Sequence, residues 1–118
     1  MNKIKFFDST LRDGSHVNKH QNSEEDIEKY CSGIDKIGMD AVFVGHGNGL
    51  GASSAQIGLS KVDDITLIKE AKKHLNNTKL GAYLIPGFGT IKDDIVPAIK
   101  NGVTVFQIGC HCTAADVT

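Results

Sequence analysis

The sequence predicts an α/β fold in which four strands alternate with helices and form a parallel sheet. Short apolar runs read as strands, and longer amphipathic segments with helix start and stop signals lie between them. Thirteen glycines against two prolines punctuate the junctions. Two architectures fit this order: an open doubly wound sheet, or the N-terminal half of a (β/α)8 barrel, which normally needs about 250 residues.

The predicted strands are continuous apolar runs, which are typical of strands in a parallel sheet covered by helices. The clearest is "DAVFVG", which covers residues 40–45. The four predicted strands cover residues 3–8, 40–45, 79–87 and 103–109.

The predicted helices cover residues 23–37, 62–75 and 91–102. The first has the strongest end signals. Ser23 is a typical N-cap residue, Asp26 three positions later can complete a capping box, and Gly38 is a typical stop. Gly102 ends the third helix in the same way.

The last residues indicate which architecture is favoured. Thr113, followed three residues later by Asp116, predicts the start of a fourth helix directly after the fourth strand. Four strands followed by a helix start correspond to half a barrel. The sequence therefore favours a single partial barrel domain over residues 1–118, truncated after strand 4.

Composition excludes several classes of function. A formal net charge of −1 offers no basic stripe for nucleic acid. No apolar run approaches the roughly 20 residues of a membrane span, and no secretory leader is recognisable. Three cysteines, two of them at positions 110 and 112, suit a reducing compartment. We therefore expect a cytoplasmic protein without nucleic-acid or membrane partners.

The stretch "FFDSTLRDGSHVNKHQ", residues 6–21, concentrates chemistry directly after the first strand. A guanidinium, a carboxylate and an imidazole follow each other within five residues, at Arg12, Asp13 and His16. Taken alone, Arg12 and Asp13 fit a solvated charge pair. The surrounding residues favour a metal-dependent active site.

Several segments of the sequence resemble motifs of a known enzyme family. The segment "DSTLRDGSH" resembles the first-strand signature of metal-dependent aldolases and Claisen-condensing enzymes, a (β/α)8 barrel family. Within that family, "HQ" at 20–21, "VGHGNGLGASS" at 44–54 and "GCHCTAADV" at 109–117 resemble the 4-hydroxy-2-oxovalerate aldolases. The match runs from residue 4 to 117 and corresponds only to the N-terminal part of such an enzyme.

The resemblance implies a class II aldolase that cleaves 4-hydroxy-2-oxo acids into pyruvate and an aldehyde, with Mn²⁺ or Mg²⁺ as cofactor. It assigns Asp13 as the metal carboxylate, Arg12 as the stabiliser of the pyruvate enolate and His16 as the general base. These roles suit the chemistry, because a cation and a guanidinium stabilise a developing anion and a base removes the hydroxyl proton.

Two further histidines are candidate substrate-binding residues. His46 lies in the glycine-rich loop after the second strand, and His111 lies between two cysteines after the fourth. The "CHC" spacing is weak evidence for zinc. The chain departs from the family pattern at three positions, where Phe43, Asn48 and Ala114 replace acidic residues.

The resemblance also indicates what this segment lacks. In the family, two metal-binding histidines, a tyrosine acid and the surface for an acylating aldehyde dehydrogenase lie further along the chain. We therefore expect no appreciable turnover from residues 1–118 alone, and we expect a homo-oligomer. Two alternatives remain open: a self-contained flavodoxin-like ligand-binding domain, and a non-catalytic half-barrel that oligomerises.

Overall fold

A computed structural model describes residues 3–118 and contains a four-stranded parallel sheet with helices between the strands. The elements are β1 (Phe7–Asp8), α1 (Glu24–Ile37), β2 (Ala41–Phe43), α2 (Asp64–His74), β3 (Lys79–Leu84), α3 (Val96–Lys100) and β4 (Val105–Ile108). Short 3₁₀ segments lie at Asp13–His16 and Cys112–Val117. No helix in the described part is long and apolar enough to cross a membrane.

The strand order is β1-β2-β3-β4, and every neighbouring pair is parallel. A doubly wound sheet reverses direction at a switch point, as in the flavodoxin order 2-1-3-4-5. In this sheet each strand instead lies beside the one before it in the chain. The flavodoxin-like alternative is therefore wrong, and the strand order is that of half a barrel.

One face of the sheet carries the hydrophobic core. Side chains such as Val42 and Leu80 pack there with residues of the helices, including Ile27 and Ile68, which are completely buried. Right-handed crossovers place successive helices on the same side when the strand order does not reverse. The core therefore lies between the sheet and a single helical layer.

Both predicted ends of helix α1 are confirmed. Ser23 and Asp26 form a reciprocal capping box, and Gly38 ends the helix in the left-handed conformation at φ = 83°. Helix α2 begins two residues later than predicted, because the side chain of Asp63 accepts a hydrogen bond from Thr66 N at 3.0 Å and caps it.

All four strands and the last two helices are shorter than predicted, and β1 and the third helix differ most. Strand β1 contains only two residues, and Ile4 and Phe6 before it are 73% and 61% exposed. As an edge strand, β1 has β2 as its single partner in the sheet. The predicted third helix is a π-helical turn at Ile91–Ile95 followed by α3, and the predicted start of a fourth is the kinked 3₁₀ segment Cys112–Val117.

The second face of the sheet lies away from the helices. By register it carries Phe7, Phe43, Gly81, Tyr83 and Val105. The rings of Phe7 and Phe43 meet edge to face at 6.1 Å between centroids. Both flank an open cavity of about 420 Å³ on this face. We call this surface the bare face.

Candidate active site at the carboxyl ends of the strands

The sequence-predicted site residues lie at one edge of the sheet. Arg12, Asp13 and His16 follow β1, His46 follows β2, and His111 follows β4. The carboxyl ends of parallel strands meet at the same edge, where active sites of α/β proteins lie. The fold therefore gathers the loops that carry these residues, although the contacts differ from one residue to the next.

Arg12 is held from three directions. Its Nη1 donates to Asp13 Oδ1 at 3.0 Å and to the Gly47 carbonyl at 3.2 Å, and its Cζ lies 4.4 Å from the centroid of the Tyr83 ring. The side chain is only 11% exposed. These contacts argue against a solvated charge pair, because a freely hydrated guanidinium is neither buried nor stacked.

Asp13 opens to solvent, with 66% of its side chain exposed. Only one of its oxygens pairs with Arg12, so the carboxylate can serve as one oxygen ligand for a hard cation. Within residues 3–118, the one group of three close metal-ligating side chains is Glu28, Glu70 and His74 on α1 and α2, and it does not include Asp13. The described residues therefore contain no group of three close metal ligands at the strand ends.

Three histidine rings form a stack beside Arg12. His16 meets His20 edge to face at 4.9 Å, and His20 stacks on His46 at 3.7 Å between centroids. His20 Nδ1 lies 3.0 Å from Ser15 Oγ, which in turn donates to the Arg12 carbonyl at 2.7 Å. His20 thereby joins the loop after β1 to the loop after β2.

His20 is buried and adopts a positive φ of 61°. The pKa of His20 is lowered, mainly by burial and further by the neighbouring His46 and His16. Its ring is therefore neutral at neutral pH. His16, at the outer end of the stack, is exposed and keeps its ring at the surface of the site.

His46 is 1% exposed, and both of its ring nitrogens bind backbone. Nδ1 accepts from the Asn48 N–H at 3.0 Å, so Nε2 carries the proton and donates to the Gly58 carbonyl at 3.0 Å. The His46 N–H donates to Asp64 at 2.8 Å. Burial raises the pKa of Asp64, although its hydrogen bonds oppose the shift. His46 thus organises the glycine-rich loop, and its contact with substrate stays a prediction.

His111 lines an open cavity of about 220 Å³ together with Tyr83 and Cys110. Gly109 is essential to the shape of this cavity, because a Cβ there would overlap the Tyr83 hydroxyl. Tyr83 therefore contacts the Arg12 side of the site with its ring and reaches the His111 side with its hydroxyl. The substrate-binding role of His111 stays a prediction.

The departures from the family pattern have different environments. Phe43 is 2% exposed and packs on Phe7 and over Gly81, so it replaces an expected carboxylate by an apolar contact. Asn48 is partly buried in the loop after β2, and Ala114 lies at the kink of the last 3₁₀ segment.

Sequence reasoning missed Tyr83 and gave His20 no functional role. Tyr83 lies within an apolar strand pattern, and its contact with Arg12 depends on the register between strands that are not adjacent. For Tyr83 the available signal was a polar ring near the carboxyl end of a strand, two residues after a glycine. For His20 it was a second histidine four residues after His16.

Comparison with known proteins gives one consistent result. The chain is 47% identical to 4-hydroxy-2-oxovalerate aldolase 2 of Salinispora arenicola over 98% of its own length, and 46% identical to 4-hydroxy-2-oxovalerate aldolase of Spirochaeta aurantia over 94%. In both cases it spans 33% of the relative. No family model matches the chain.

A solved structure supports the fold. The N-terminal domain of a proposed aldolase from Bacteroides vulgatus has a TM-score of 0.69 and 19% identity, and the match covers 89% of this chain and 35% of that one. This solved structure shows the parallel α/β fold, and both sequence relatives are named as aldolases. More particularly, over nearly its whole length the chain is similar to an N-terminal part of 4-hydroxy-2-oxovalerate aldolases, about a third of their length.

Proposed function

We propose that the chain forms part of an aldolase that cleaves 4-hydroxy-2-oxo acids into pyruvate and an aldehyde, and that it contributes Arg12, Asp13 and His16 to the reaction. One observation carries the proposal. The Arg12 guanidinium is buried and fixed beside the open carboxylate of Asp13, at the sheet edge where α/β active sites lie.

Arg12 matches the charge that the reaction creates. Cleavage of the carbon–carbon bond leaves the electron pair on the pyruvate fragment as an enolate. A fixed guanidinium stabilises such an anion without reorganising during the reaction. The contacts of Nη1 with Asp13 and Gly47 and the ring beneath Cζ supply this preorganisation.

His16 suits the role of general base. Cleavage requires removal of the proton from the 4-hydroxyl group, and a neutral imidazole accepts protons near neutral pH. The ring of His16 is exposed at the site, whereas His20 and His46 behind it are buried. Among the three stacked rings, His16 is the one that a substrate can reach.

A divalent cation, Mn²⁺ or Mg²⁺, completes the proposed site. When bound, it would act as a Lewis acid toward the oxygens of the 2-oxo acid. Asp13 supplies one ligand from this chain, and the resemblance to the family implies two histidine ligands further along a full-length enzyme. For this reason we expect the chain alone to show no appreciable aldolase turnover.

We also propose that the chain self-associates in the cytoplasm. Strands β1 and β4 each have one neighbour in the described sheet, and the bare face exposes Phe7 at 55%. Unpaired strand edges and apolar patches favour association with another chain. Contact with an acylating aldehyde dehydrogenase is proposed only for full-length relatives.

A chimera tests the proposed reaction. Residues 1–118 replace the corresponding third of the Salinispora arenicola aldolase, and pyruvate release from 4-hydroxy-2-oxopentanoate is followed with Mn²⁺. We expect turnover in the chimera and its loss in Asp13→Asn, because an amide is a poor ligand, and in Arg12→Lys, because a point charge does not reproduce the guanidinium fork. The exposed Lys92→Gln variant is the control and retains activity.

A chimera that melts cooperatively, like its parent, yet releases no pyruvate would contradict the proposal. Full activity in Asp13→Asn would do so as well. His16→Ala should slow cleavage and leave metal affinity unchanged, which separates the base from the metal ligand.

A further inference from the structure

Arg12 is the only arginine of the chain, and its guanidinium is incompletely satisfied by hydrogen bonds. Nη1 has two oxygen partners, whereas Nε is buried and has no partner within the described residues. A buried donor without a partner has a cost, so other contacts must compensate for it. The Tyr83 ring is the contact on the face of the guanidinium.

Two close glycines and one backbone hydrogen bond hold Tyr83 in place beneath Arg12. The Tyr83 carbonyl accepts from Leu50 N at 2.8 Å, and Gly49 approaches that carbonyl so closely that a Cβ would lie 2.6 Å from it. At the other end, the hydroxyl fits against Gly109. On the neighbouring strand Tyr83 pairs with Gln107. One adjacent loop therefore holds the backbone of Tyr83, and the other contacts its hydroxyl end.

Asp13 competes with the Tyr83 ring for the Arg12 guanidinium. It is the residue next to Arg12 and is 66% exposed, so an unrestrained guanidinium could follow its carboxylate into solvent. A cation over a tyrosine face is attracted most strongly where water is excluded. With 11% of its side chain exposed, Arg12 lies in the environment where this attraction is effective.

We propose that Tyr83 is the positioning residue of Arg12: its ring holds the guanidinium at the strand ends, ready for the carboxylate or enolate of a 2-oxo acid. The choice of a 2-oxo acid as the ligand rests on the proposed function. The contact between the Tyr83 ring and the Arg12 guanidinium is independent of it. Tyr83 therefore acts through Arg12, and its hydroxyl is dispensable for that role.

The Arg12 Nε–H group gives a direct spectroscopic test. Because the chain has one arginine, its ¹H–¹⁵N spectrum contains one arginine Nε–H signal. A proton above an aromatic face is shifted upfield by the ring current, and a buried one exchanges slowly with water. We expect both properties in the unmodified chain and in Tyr83→Phe, and the loss of both in Tyr83→Leu.

A pyruvate titration followed on the same signal tests the consequence for binding. We expect pyruvate to bind Tyr83→Leu about 3- to 10-fold more weakly than the unmodified chain, and Tyr83→Phe with unchanged affinity. Lys92→Gln, an exposed residue outside the site, is the control and leaves both the Nε–H signal and the affinity for pyruvate unchanged.

The results test the positioning role of Tyr83 separately from the ligand proposed for Arg12. If Tyr83→Leu keeps the upfield, slowly exchanging signal, the positioning role is refuted, whatever the affinity for pyruvate. If Tyr83→Phe loses the signal as Tyr83→Leu does, the hydroxyl and not the ring holds Arg12, and the proposal fails. If pyruvate leaves the signal of the unmodified chain unmoved, the 2-oxo acid is refuted as the ligand of Arg12 in this chain, while loss of the signal in Tyr83→Leu still supports the positioning role. The proposed function is tested separately, by pyruvate release from the chimera.

Discussion

Replacing His46 by alanine should destabilise the protein strongly, because the structure makes this side chain an organiser of the loop after β2. The change removes two hydrogen bonds of 3.0 Å and the stacking on His20. Each bond contributes about 0.5–1.5 kcal/mol, and the Asn48 N–H and Gly58 carbonyl lose their partners. With the cavity left by a nearly fully buried ring, we expect a loss of about 2–5 kcal/mol in the free energy of unfolding.

Urea denaturation followed by circular dichroism measures this loss. With a dependence of about 2 kcal/mol per molar urea, the midpoint should fall by roughly 1–2.5 M. His111→Ala is the matched control, since it removes an exposed histidine and should change the free energy of unfolding by less than about 0.5 kcal/mol. Equal midpoints for His46→Ala and the unmodified chain would refute the assignment of His46 as a buried organiser.

Three further predictions concern pH, a buried carboxylate and assembly. The pKa of His20 is lowered from 6.5 in the folded chain, so the unfolded chain binds more protons below about pH 6.5 and stability should fall toward pH 5; an unchanged slope in His20→Asn would contradict this. Despite burial, hydrogen bonds from three backbone N–H groups, at residues 76–78, lower the pKa of Asp35. Asp35→Asn should therefore reduce the free energy of unfolding by about 1–3 kcal/mol, and a thermal melt equal to that of the unmodified chain would be inconsistent with it. Sedimentation equilibrium at micromolar concentration should give a mass above 12.6 kDa, whereas a clean monomer would reject self-association through the bare face.

Local signals in the sequence were sufficient for the first helix and for the alternation of strands and helices. The capping box of Ser23 and Asp26 and the left-handed Gly38 were predicted because such motifs are encoded within a few residues. The alternation of strands and helices was predictable for the same reason. The choice between a doubly wound sheet and half a barrel was not settled by periodicity, because strand order is a long-range property.

The candidate site likewise contains features that depend on local sequence and features that depend on long-range contacts. The position of Arg12, Asp13 and His16 after β1 followed from the motif. Their surroundings did not, since the ring under Arg12 comes from β3 and depends on the register of three strands. The histidine stack likewise requires the loops after β1 and β2 to meet. The short edge strand β1 shows that an apolar run such as residues 3–8 does not by itself set the length of a strand.

Deuterium exchange at the methyl group of pyruvate tests the central claim, that Arg12 at the strand ends stabilises a pyruvate enolate. The chimera with the Salinispora arenicola aldolase is incubated with pyruvate and Mn²⁺ in D₂O, and loss of the methyl proton signal is followed by NMR. Exchange needs the enolate but no aldehyde, so it isolates this one step. We predict metal-dependent exchange that is lost in Arg12→Lys and retained in Lys92→Gln. Exchange in Arg12→Lys as fast as in the unmodified chimera would contradict the account.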